Sequence, residues 1–190
     1  MYNTPSSPPS PANLSPQQVA SALRVAGWGI FWVQLLLGVV AALVLIFFIS
    51  LGGSTGGNLL KNGVGIFFAL LGLITLGISI FFAFRYTRIA RQLQSHGSGR
   101  PTKGQTIMLV QKGLLVNLVG MLFTIFGAQA IIGTILAIAL SQPQGWILRS
   151  AALPIVQPLD LFVVQSNINA VTAHFIGIAA SFWLLLRLRR

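Results

Sequence analysis

A chain of 190 residues that is 55% hydrophobic and 7% charged, with a mean hydropathy of +0.84, has too little polar surface to clothe a soluble domain. One acidic residue against 12 Lys and Arg, two His and no Cys excludes paired-carboxylate chemistry, disulfides, thiolate metal sites, Fe–S clusters and cysteine nucleophiles. The net charge of +11 therefore belongs to a membrane topology rather than to a nucleic-acid-binding surface.

In chain order, residues 1–14 are rich in Pro and Ser and read as a disordered tail, with neither the basic start of a signal peptide nor the Arg of a transit peptide. Ser15-Pro16-Gln17-Gln18 has the pattern of a capping box and places a helix start near Ser15. Four nearly uncharged stretches, Val25–Leu60, Asn62–Phe84, Gly113–Leu148 and Ser150–Leu186, each exceed the roughly 20 apolar residues that cross a bilayer as a helix. They predict spans at 28–50, 63–84, 114–139 and 165–186, within a transmembrane domain covering 15–190.

The connections differ in character. Gly52-Gly53-Ser54-Thr55-Gly56-Gly57-Asn58 has the composition of a short loop. The second connection, 85–112, carries Arg85, Arg88, Arg91, Arg100, Lys103 and Lys112, expected to meet anionic headgroups or a partner. The third, 140–164, is apolar and broken by Pro143, Pro154 and Pro158; it reads as interfacial or partly re-entrant with Trp146 at headgroup depth, either capping the bundle or docking a partner. With four spans, ten basic residues share a side with both termini and two, Lys61 and Arg149, face the other, so the positive-inside rule gives an N-in, C-in protein.

Small residues fall on one face of every span. Span three reads Gly113, Asn117, Gly120, Thr124, Gly127, Ile131, Thr134, Ile138, Ser141; span two reads Gly65, Ala69, Gly72, Leu76, Ser79, Ala83. Span four gives Ser166, Ala170, Ala173, Gly177, Ala180, Leu184, and span one gives Gly27, Gln34, Gly38, Ala41. Because lipid supplies no hydrophobic force between helices, such stripes mark the faces where backbones approach closely, at a spacing that suits left-handed packing. An all-α, integral membrane four-helix bundle follows, tight enough that a wide pore through one protomer is not expected. One stripe could instead face a second copy or a partner protein.

His174, near the middle of span four, is the polar residue to weigh most heavily. Asn167 and Ser181 share its face, Asn169 is nearby, and Gln34, Asn117 and Gln129 are the strongly polar side chains of the other spans. Two uses compete: an interhelical hydrogen-bond clamp satisfied without an ion, or a polar path and substrate or metal contact. Asp160, two residues after Pro158, fits the first turn of a helix, where the dipole favours an anion, and could also form the mouth of a cation path toward Asn167 and His174. His174 and Asp160 are the only candidate metal ligands, a thin donor set for hard or soft cations. Arg100-Pro101-Thr102-Lys103-Gly104 lacks the P-loop spacing, and no nucleophile, base and acid come together, so neither an enzyme nor a cofactor is expected.

Three segments carry a family likeness: Leu14-Ser15-Pro16-Gln17-Gln18 leading to Arg24-Val25-Ala26-Gly27-Trp28; Gly113 to Met121 with Gly127-Ala128-Gln129-Ala130; and Leu159 to Asn167 continuing to Ala173-His174-Phe175. The chain resembles the cyanobacterial and plastid family of small four-span proteins that includes the chloroplast inner-envelope component called "permease in chloroplasts", also assigned to the inner-envelope protein-import translocon. The resemblance implies two functions. One is permeation of iron or a related divalent cation, the reading placed first. The other is a non-catalytic translocon component, assembly factor or scaffold in a larger complex, with a homo-oligomer as a further possibility. It also implies a cyanobacterial plasma or thylakoid membrane, the plastid inner envelope being the home of plant relatives. It supplies no agreed site residues.

Overall fold

The computed structural model describes residues 16–55, 63–94, 101–141 and 158–189. All regular structure among them is helical: α1 (Pro16–Thr55), α2 (Gly63–Gln94), α3 (Lys103–Leu140) and α4 (Pro158–Arg189). Each is long and apolar enough to cross a membrane. The chain is an integral membrane protein.

α1 packs on α2 and α4, α3 packs on the same two helices, and α2 and α4 also meet across the diagonal. Every neighbouring pair runs antiparallel. A Cβ built on Gly38 of α1 would meet Leu76 and one on Gly27 would meet Thr87, so α1 rises as α2 descends; Gly65 faces Ile131 and Gly113 faces Tyr86 in the same sense.

The small-residue faces are the faces that pack. On α2, Gly65, Ala69, Gly72, Leu76, Ser79 and Ala83 are all buried, and on α3 so are Gly113, Asn117, Gly120, Thr124, Gly127 and Ile131. Beyond Ile131 the α3 stripe is only half-buried at Thr134 and Ile138 and exposed at Ser141. Contact is closest where no side chain intervenes: a Cβ on Gly127 would lie 2.9 Å from the backbone nitrogen of Ala69. Gly65 and Gly72 therefore face α3 rather than a second copy. The outward faces carry exposed Val, Leu, Ile, Phe and Trp, as a lipid-facing surface requires.

Two apolar clusters bracket the interior. One joins Leu23, Tyr86, Ala90, Leu93, Leu109, Val110 and Leu188; the other joins Phe48, Ile131 and Val163 at the opposite end.

The helices outrun the expected spans. α1 continues through Gly52–Thr55, α2 through Gln94, and α3 starts at Lys103, so most of the basic connection is helical. Tyr86, Ala90 and Leu93 pack against Leu109 and Val110 there, which supports helix beyond the apolar segments. α4 starts at Pro158 and puts Asp160 in its first turn. The tail 1–14, the cap at Ser15, Arg100 and the segment with Trp146 lie outside the described residues.

A polar clamp at the centre of the bundle

Between the two apolar clusters all four helices contribute to one buried polar layer. Gln34 of α1, Ser79 of α2, Asn117 of α3 and His174 of α4 are each no more than 2% exposed. Asn117 Oδ1 is the hub: Gln34 Nε2 donates to it at 2.9 Å, Ser79 Oγ lies 2.8 Å away, and His174 Nδ1 is at 3.2 Å. Gln34 Nε2 also donates to Ala173 O at 3.1 Å, and the Ser79 hydroxyl has Gln34 Oε1 as its alternative acceptor at 3.0 Å.

Backbone carbonyls fix the orientation of both amides. Gly113 O accepts from Asn117 Nδ2 at 2.9 Å and Ala173 O accepts from Gln34 Nε2, and neither carbonyl could face an amide oxygen instead. His174 Nε2 reaches Gly72 O at 3.2 Å, which forms the diagonal link between α4 and α2.

Glycines make the room. A Cβ on Gly120 would lie 2.6 Å from both His174 Nε2 and Thr75 Oγ1, so the imidazole passes over α3 only because position 120 has no side chain. A Cβ on Gly177 would lie 2.5 Å from Asn117 Oδ1 and Gln34 Nε2. The stripe that lets helices approach is here also the notch that holds the clamp.

A family profile described as "Protein of unknown function (DUF3611)" matches residues 13–189. The chain belongs to the DUF3611 family. It is also 30% identical over 161 residues to "Protein TIC 21, chloroplastic" of Arabidopsis thaliana, an alignment covering 82% of this chain and 52% of that protein. The chain thus spans about half the length of this relative. No solved structure matches it.

In this DUF3611 member the remaining sequence-derived site residues are dispersed. Asn167 is buried, but its Nδ2 donates to Val163 O at 3.2 Å within α4. Asn169 accepts from Gln165 Nε2 at 3.2 Å on an exposed edge. Gln129 is exposed on α3, off the stripe that holds Asn117. Asp160 is buried at the start of α4, about 21 Å along the axis from His174, so the two are not one donor set. Among the described residues no three His, Cys, Asp or Glu stand close enough to hold a metal ion. Arg85, Arg88, Arg91, Lys103 and Lys112 are exposed at one end of the bundle.

Two polar links had not been singled out from sequence. Ser79 reads there as one more small residue of its stripe, yet it closes the clamp. Ser166 Oγ donates to Ala41 O at 2.8 Å and ties α4 to α1 away from the centre. Both sit on the small-residue faces, and a hydroxyl on such a face is the signal that could have found them.

Proposed function

We propose that this DUF3611 member is a non-catalytic subunit of a larger membrane complex, acting as a translocon component, assembly factor or scaffold. The observation that carries this reading is the filled centre. Gln34, Ser79, Asn117 and His174 bond to one another and to Gly72, Gly113 and Ala173, and both His174 ring nitrogens face oxygen atoms inside the bundle. A cation entering there would have to break the contacts that join the helices. An apolar groove of about 360 Å3 lined by Leu43, Val44, Phe47 and Phe162 opens on the lipid-facing surface rather than the axis. The test is purification in mild detergent: the protein should migrate with a larger complex, and migration as a lone monomer or homo-oligomer counts against this role.

A second reading, permeation of iron or a related divalent cation, is favoured by the α4 stripe. Asp160, Asn167, His174 and Ser181 recur every seven residues and are all buried, the order a polar path would need. Asn117 would share the path at the His174 level, and Gln129 would join it only after α3 turns. Fe2+ or Mn2+ flux into liposomes loaded with the parent or with His174→Ala tests it. Parent flux above that of empty liposomes, reduced by the substitution, supports permeation; equal flux with and without protein removes it.

A further inference from the structure

The basic end of the bundle presents an aromatic and basic face at the seam of α1 and α2. At its centre Phe31 and Phe84 have ring centroids 6.4 Å apart, with Trp28 edge-on to Phe31 at 5.8 Å and Trp32 stacked beside Trp28 at 6.0 Å. From this pair two stripes run toward the same end. On α1 the series Phe31, Trp28, Arg24 steps by three and four; on α2 Phe84, Arg88, Arg91 steps by four and three, and in a helix each series shares a face. Gly27 abuts Thr87, and counting about 1.5 Å per residue from that contact places Arg24, Arg88 and Arg91 within about one helical turn of one another along the axis.

All three arginines are exposed. The chain's only acidic side chain, Asp160, sits at the start of α4, whereas Arg187 near the other end of that helix stacks on Trp183 at 5.2 Å. Three exposed guanidiniums at neighbouring levels of this face therefore call for an anion from outside the chain.

We infer that this face binds an anionic phospholipid, its phosphate held by Arg24, Arg88 and Arg91 and its acyl chains laid along Phe31, Trp32 and Phe84. A lipid fits better than an acidic protein, because the aromatic cluster runs on into the lipid-facing surface at Val25, Trp32, Leu36 and Phe81, all more than half exposed. Trp residues at headgroup depth with guanidiniums one turn beyond match the profile of a bilayer leaflet from acyl chain to phosphate. The inference stands apart from both proposed functions.

The experiment uses full-length protein retaining Trp28 as its only tryptophan, with Trp32, Trp146 and Trp183 changed to Phe. It is reconstituted in phosphatidylcholine vesicles containing either brominated phosphatidylglycerol or brominated phosphatidylcholine. Quenching should show the anionic lipid preferred about fivefold or more. Arg88→Gln with Arg91→Gln should bring that ratio close to one, and Arg24→Gln alone should lower it in the same direction. Arg187→Gln with Arg189→Gln removes equal charge from α4 and should leave the ratio unchanged. A ratio of one in the parent overturns the inference. An equal loss in both double variants, which means a diffuse field, also overturns it, as does loss of the preference when excess inorganic phosphate is added.

Discussion

Asn117 Oδ1 lies within hydrogen-bond distance of side chains from the three other helices. Asn117→Leu keeps the volume but removes the oxygen that Gln34, Ser79 and His174 share, leaving Ser79 to Gln34 Oε1 and Gln34 Nε2 to Ala173 O while a polar proton of the layer loses its acceptor. The expected loss is about 1–3 kcal/mol, since hydrogen bonds in membranes are individually modest while stranded buried donors cost more. Reversible unfolding in mixed micelles measures it. Gly120→Ala drives a methyl into His174 and Thr75 and should cost about 1–3 kcal/mol by overpacking. Gly77→Ala, with nothing within 4 Å of its Cβ, should change stability by less than about 0.5 kcal/mol in the same assay. Gln34, Asn117 and His174 were legible in the sequence as costly polar groups inside apolar spans. Which of them meet was not: Gln129 looks equivalent by composition, but it falls between Gly127 and Ile131 rather than on their face.

Helix ends decide the element scale. Thr102 Oγ1 accepts from the Gln105 backbone at 3.2 Å, and Gln105 Oε1 accepts from the Thr102 backbone at 3.0 Å, a complete capping box at the start of α3. Its Thr-x-x-Gln signature is present in a stretch that sequence reading weighed only as a phosphate-binding loop. Thr102→Ala should cost α3 about 1 kcal/mol at its first turn, seen as faster amide hydrogen exchange at residues 105 and 106 with little change near Asn117. Hydropathy placed an apolar stretch inside each helix but not the helix ends. Backbone hydrogen bonding continues wherever good helix formers and a packed partner persist, and the packing of Ala90 and Leu93 against Leu109 becomes visible only after α2 and α3 are side by side.

At the scale of the whole molecule, the basic ends of the helices lie on one side and Asp160 on the other, so charge and packing describe the same axis. Both termini and the α2–α3 connection are expected on the cytoplasmic face; protease protection in sealed vesicles should cleave them together, and cleavage of one terminus alone would refute the topology. The amino-acid sequence by itself determined four segments long and apolar enough to cross a membrane, because apolar length and scarce charge act segment by segment, and it determined the packing faces, because a spacing of three and four residues is a property of each helix alone. Only the tertiary structure decided that α4 reaches diagonally to Gly72 and that Asn117 meets side chains of the three other helices. A hydrogen-bond partner is set by the relative height and rotation of separate helices, quantities that no single helix encodes.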